Sequence, residues 1–359
     1  MRALGDWLQI TMSVLRVTVA GLLLLACLRD WSAARAWDEL QALPRMNFKS
    51  EARMLIDQQR DSEAQLVIDA GLEGASPLEK YDLKQLGLQV QKQQDSLLAQ
   101  AQQVGKGALT GTGTTAPALA GAVVADLFVF GDIRDLVIQG EHYATGQDVD
   151  RVIVALSAAG IALTAAPEAD FGTSLLKFGR RTGALTEPLA AATVKTARRA
   201  VQTRDLGELR RMADDAAVLG NSARPAGAMT ILKAIDSPED LHLAAEMARQ
   251  PGGAFSLWIG GRRSLDWLRE GGPESQRLLR IAAWRGAAGL EFLAVRGRIA
   301  QRMHPLLGLL KGFYKGNLGA LAGTWLREYS AALVGILGAW VVFEGLLLTL
   351  RLTRRWFSA

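Results

Sequence analysis

Two apolar runs near the ends of this chain restrict its fold more than any other feature. Trp7 to Leu28, WLQITMSVLRVTVAGLLLLACL, carries one charge, Arg16, and Tyr329 to Leu350, YSAALVGILGAWVVFEGLLLTL, carries one charge, Glu344. About 20 helical residues cross the roughly 30 Å hydrocarbon core of a bilayer, where backbone groups must be satisfied internally. Both runs therefore read as transmembrane helices. Arg351, Arg354 and Arg355 follow the second run, which under the positive-inside rule sets the C-terminus in the cytoplasm. Two crossings return the N-terminus to the same side. Residues 29–328 then face the other compartment.

The first run also fits a cleaved export signal, with Arg16 closing its basic segment and VTVAGLLLLAC as its apolar core. Its end, LLAC, resembles a bacterial lipobox, in which Cys27 is lipidated after cleavage. Leu25 stands where such a motif usually has a smaller residue. Cys27 is the only cysteine, which excludes an intrachain disulfide and a thiolate metal cluster.

Between the ends, nearly every segment has helical periodicity and none shows the alternation of a β-strand, so the expected class is all-α. Terminal transmembrane helices are expected to bracket a large helical-bundle domain. The anchor occupies 1–28. Residues 29–106 read as helical hairpins and a long helix, opened by Ser76 as N-cap, Pro77 at the first position and Glu79 at the third. Residues 107–185 read as a glycine-rich apolar hairpin. Residues 186–303 read as a basic bundle, where Ser237, Pro238 and Asp240 start one helix and Pro251, Gly252 and Gly253 stop it. A glycine-ridge helix at 304–328, the span at 329–350 and a basic cytoplasmic tail at 351–359 complete the chain.

Charge is placed unevenly. Residues 111–175 hold a net of −6, and 176–328 a net of +10. A basic half beside a span suits anionic lipid headgroups, and a solvated helical surface is its simpler reading. Interleaved acids and the lack of stacking aromatics argue against nucleic acid as a partner.

Residues 131–151, GDIRDLVIQGEHYATGQDVDR, lie between the two uncharged stretches of the 107–185 segment. With its flanking helices, over about 117–183, this order resembles the pre-toxin segment of bacterial polymorphic toxins. The resemblance implies a helical hairpin near a membrane. In that family a toxic domain follows, whereas here a helical region and a span follow.

No motif points to a cofactor. Gly111 to Ala116, GTGTTA, matches a dinucleotide fingerprint but lacks the preceding strand, and the Gly-Lys pair at Lys106 lacks the rest of a phosphate loop. His142, His242 and His304 share no local metal spacing. Asp148 and Asp150 precede an apolar helix, where acids act as caps. Glu141 beside His142 is the one pair suited to acid–base work, and an exposed polar turn is its simpler reading.

Packing signals are stronger. Arg16 and Glu344 fall at similar depths of their spans, differing by about 5 Å, so antiparallel helices can pair them; the alternative is that Arg16 snorkels to the interface and Glu344 is protonated or lines an oligomer. Ala331, Gly335 and Ala339 form a small-xxx-small ridge on the last span. Gly308, Gly312, Gly316, Gly319 and Gly323 fall within an arc of about 80° on a helical wheel, with bulky apolar residues opposite. This predicts a helix-packing groove, with a flexible glycine-rich linker as the alternative. The expected function is that of a non-enzymatic protein of the bacterial inner membrane with a periplasmic main domain and both termini cytoplasmic. The lipid bilayer and either a protein partner or a second copy are its expected partners. A pore-forming, toxin-related protein and an envelope enzyme acting through Glu141 are the alternatives.

Overall fold

The computed structural model describes residues 2–105, 139, 141–142, 145, 148–163, 167–271, 273–301 and 330–356. Among them every regular element is a helix: α1 (Arg2–Ala42), α2 (Phe48–Asp57), α3 (Asp61–Gly74), α4 (Pro77–Gly105), α5 (Arg151–Leu163), α6 (Pro167–Arg181), α7 (Glu187–Thr203), α8 (Gly207–Leu232), α9 (Pro238–Ala248), α10 (Gly253–Gly260), α11 (Arg262–Glu270), α12 (Pro273–Ala283), α13 (Gly286–Ala300) and α14 (Ser330–Trp356). They fall into two compact units, Met1–Leu43 with Phe292–Ala359, and Pro44–Glu291. The glycine ridge from Gly308 to Gly323 lies outside the described residues, as does the uncharged stretch at 107–125.

In the first unit, α1 continues past Leu28, where the anchor was expected to end. Leu28 to Ala42 contains neither glycine nor proline, so nothing stops the helix before Pro44. Its 41 residues extend for about 60 Å, twice the hydrocarbon thickness. Beyond the apolar run, Glu39 forms an ion pair with Arg296. α14 likewise runs past Leu350 to Trp356.

In the second unit, caps set the helix boundaries. Ser76 accepts a hydrogen bond from the Glu79 amide at 3.4 Å, and the Glu79 carboxylate accepts one from the Ser76 amide at 2.9 Å. Each side chain thus satisfies an amide that the helix start leaves unpaired. Ser237 accepts from the Asp240 amide at 3.1 Å. Asp150 caps α5 through the Val152 amide at 2.9 Å, while its other oxygen accepts from Arg180 at 2.8 Å.

The core of this unit is organised around α8, which packs against α3, α6, α7, α9 and α10. Its buried face includes Leu209, Met212, Ala216, Leu219, Ile231 and Leu232. Two glycines let α6 come close. A Cβ on Gly172 would stand 1.8 Å from the Ala213 carbonyl oxygen, and one on Gly220 would stand 2.7 Å from the Phe171 ring. Pro225 kinks α8 by forcing Arg224 out of helical geometry, to φ 57° and ψ 160°. A non-glycine residue held there costs about 1–3 kcal/mol, which the surrounding core offsets.

Buried carboxylates tie the helices together. Glu63 on α3 accepts from Arg60 Nη2 at 2.7 Å, from Trp258 Nε1 of α10 at 3.0 Å and from the Thr230 hydroxyl of α8 at 3.2 Å. Asp240 on α9 accepts two bonds from Arg269 of α11, at 2.7 and 2.5 Å. Burial pushes both acids toward protonation, but the guanidinium and its accompanying donors prevail and hold both below the usual carboxylate range.

Candidate functional site

α1 and α14 pack against each other, and two side-chain contacts give their register. Arg16 Nη1 lies 3.7 Å from Glu344 Oε1. Arg351 Nη1 donates to Ser13 Oγ. Residue numbers fall along α1 as they rise along α14, so the two helices are antiparallel.

Burial traces the seam on each helix. On α1 it follows Ile10, Ser13, Val17, Ala20, Leu24 and Cys27, and on α14 it follows Val334, Leu337, Val341, Glu344, Leu348 and Arg351. Both sets alternate steps of three and four residues, the repeat of about 3.5 that keeps one stripe of a helix facing its partner. Ser13, Ala20 and Cys27 are small and recur every seventh position. They allow the backbone of α14 to approach, as small residues do wherever helices associate without bulky knobs.

Charge within the seam is arranged asymmetrically. Glu344 is 6% exposed, and its Oε2 has no hydrogen-bond partner. The Arg16 side chain is 55% exposed, so its guanidinium reaches the edge of the hairpin. At 3.7 Å the contact is an ion pair rather than a close hydrogen bond. A carboxylate buried away from water is costly, and an opposite charge across the seam offsets part of that cost.

The outer face of the hairpin is apolar and uncovered. Leu22, Leu25, Ile336, Val342, Phe343 and Leu346 are all exposed. Ala331, Gly335 and Ala339 share this outer face, and a Cβ on Gly335 would meet nothing within 4 Å. The small-residue ridge of α14 is thus turned away from α1, and α1 itself supplies the small residues of the seam. Cys27 is a buried free thiol on the seam. Cleavage ahead of Cys27 would remove Ser13, Arg16 and Ala20 from the hairpin.

The remaining candidates are more dispersed. Glu141 is exposed and His142 half-buried, and their backbone carbonyls accept from the Thr145 hydroxyl at 2.8 and 3.3 Å. Among the described residues no group of three or more histidines, cysteines and acids is placed to hold a metal ion. His242 on α9 meets the buried Asp215 of α8 at 2.9 Å through Nδ1, a contact that joins neighbouring helices. Ser13 and Ala20 escaped the sequence reading, and Arg351 was read only as a topology signal. The seven-residue spacing of small residues in the first run was the available clue. The chain matches no family model, no curated protein and no solved structure.

Proposed function

We propose that the chain is an integral membrane protein of the bacterial envelope, in which α1 and α14 form a transmembrane hairpin that carries an extracytoplasmic helical bundle. The bundle binds a partner or organises an assembly, and no reaction is assigned to it. One observation carries the reading: among the described residues, most of the exposed large apolar side chains belong to α1 and α14. Their apolar windows have mean hydropathies of 2.1 and 2.2 and are only 17% and 6% buried. A soluble protein rarely leaves so extended an apolar surface open to water.

The arginines after Leu350 favour a cytoplasmic C-terminus, and the antiparallel seam returns the N-terminus to the same side. The outward ridge of Ala331, Gly335 and Ala339 suits close contact with a second copy or a partner helix within the bilayer. Topology fusions test the proposal. Alkaline phosphatase and a fluorescent protein are each joined after Gly74, Gly220 and Ala359; the phosphatase is expected to be active after Gly74 and Gly220, and the fluorescent protein to fluoresce after Ala359. Phosphatase activity only at Ala359 sinks the topology, and full recovery of the chain in the soluble fraction sinks the membrane reading.

A further inference from the structure

The two apolar runs of the hairpin carry one charge each, and they are treated differently by the fold. Glu344 is 6% exposed within the seam, and its second oxygen is enclosed there without a donor. Arg16 stays open to its surroundings, with a side chain that is 55% exposed and the 3.7 Å approach to Glu344 as its one polar contact among the described residues. A guanidinium carries more N–H donors than a single ion pair of that length occupies. By contrast, Ser13 Oγ accepts from Arg351, and the Thr18 hydroxyl donates to the Val14 carbonyl at 2.8 Å.

The surface beside Arg16 has the form of a helix-docking stripe. Met12, Leu15, Val19 and Leu22 are exposed along α1 in alternating steps of three and four residues, and Arg16 flanks them on the side of the seam. That repeat keeps a stripe in register with a neighbouring helix. Lipid chains cover its apolar members equally well, so the charge is what selects the occupant.

We infer that this stripe takes up a transmembrane helix of another protein, whose aspartate or glutamate meets Arg16. The inference rests on the membrane reading above, in which Arg16 is the tenth of the 22 residues from Trp7 to Leu28 and lies near mid-span. An ionised group at that depth is stabilised by an opposite charge sharing its low-dielectric surroundings. A second copy supplies none. Within its apolar runs the only acid is Glu344, already buried in its own seam, and its Arg16 arrives at the same depth as a like charge. Lipid headgroups are roughly 13 Å of helix away toward Trp7, and a side chain reaching for them would leave Glu344. An acid on a neighbouring helix engages the free donors while the Glu344 contact stays in place.

The test uses the full chain, fluorescently labelled and reconstituted into phosphatidylcholine vesicles, with its recovery in floated vesicles measured first. Three synthetic leucine–alanine transmembrane peptides are the probes. They differ only in carrying Glu, Lys or Leu at the midpoint, so the depth is the same in either orientation. Association is read as energy transfer from chain to peptide. The Glu peptide is expected to associate at least tenfold more tightly than the other two. The double variant Arg16→Leu with Glu344→Leu leaves no lone charge in the seam and is expected to lose that preference. Comparison of the three peptides on the unaltered chain stands whether or not the double variant folds. A preference below tenfold, or one that the folded double variant keeps, overturns the inference and leaves the membrane reading intact. Energy transfer between copies of the chain that Arg16→Leu abolishes assigns the stripe to a second copy and also overturns it. A chain that does not float with the vesicles overturns both.

Discussion

Glu344 faces Arg16 across the seam at 3.7 Å, with its second carboxylate oxygen buried and unpartnered. The pair is under-satisfied, so each member depends on the other. Arg16→Glu and Glu344→Arg should each lower the amount of protein recovered from membranes, because each places like charges across the seam. The double reversal restores opposite charges and should recover most of the loss. Recovery no better than in the single variants would show that the two side chains do not interact directly.

Ala20 is fully buried on the same stripe as Ser13. Ala20→Leu inserts three heavy atoms where α14 approaches, and overpacking of this kind typically costs about 1–3 kcal/mol. Leu22→Ala alters a side chain that is 63% exposed and should leave the hairpin intact. Melting temperatures of the two variants in one detergent decide the point. A larger drop for Leu22→Ala would place the seam on the wrong face of α1.

The class of the fold was legible because helical caps and apolar periodicity are local signals. Ser76 with Glu79 and Ser237 with Asp240 each act within one turn, so reading them needs no tertiary knowledge. The meeting of Arg16 and Glu344 was also countable, since two apolar runs of similar length, paired antiparallel, bring those two positions close together. The Glu63 cluster was not legible. Trp258 lies 195 residues from Glu63, and nothing local to either residue marks the other. The face of α14 that meets α1 was left open by the sequence. Ala331, Gly335 and Ala339 satisfy a packing pattern, but pattern alone does not say which neighbour is met.

Glu63 gives the second unit a defined acid sensitivity. Burial raises its proton affinity, yet Arg60, Trp258 and Thr230 outweigh that and hold its folded value below the ordinary carboxylate range. A depressed folded value means that the stabilisation is present above the unfolded value of about 4.3 and is lost as pH falls through the folded value. Glu63→Gln should destabilise the protein by about 2–3 kcal/mol near neutral pH, since it leaves a partly buried guanidinium without its counter-charge. The difference from wild type should shrink below pH 4. Denaturant titrations at pH 7 and pH 3.5 measure it, and an equal difference at both values would remove Glu63 from the acid transition.

Gly172 and Gly87 should respond in opposite directions to alanine. A Cβ on Gly172 would overlap the Ala213 carbonyl oxygen, whereas one on Gly87 would sit 3.6 Å from Ile68 in ordinary contact. Gly172→Ala should cost more than about 2 kcal/mol as α6 and α8 are forced apart. Gly87→Ala should add about 0.5–1 kcal/mol through lower chain entropy in α4. Thermal unfolding of both variants checks the sign as well as the size. Stabilisation by Gly172→Ala would mean that α6 and α8 do not cross so closely.

Lys177 on α6 is 3% exposed, and burial, aided by the charge of Arg181, lowers its pKa to about 8. A lysine whose folded value is depressed below the unfolded value of about 10.4 destabilises the fold while protonated, so the penalty is full below pH 8 and fades as pH rises toward 10.4. Other lysines and tyrosines titrate in the same range, so the informative quantity is the difference between wild type and Lys177→Met. The methionine variant should be more stable at pH 7, and its advantage should narrow by about 2–3 kcal/mol between pH 8 and pH 10.5. Chemical denaturation across that range measures the narrowing. A constant difference would mean that Lys177 keeps the same proton affinity in the folded and unfolded chains, and that the polar groups within its reach repay the desolvation of its ammonium group.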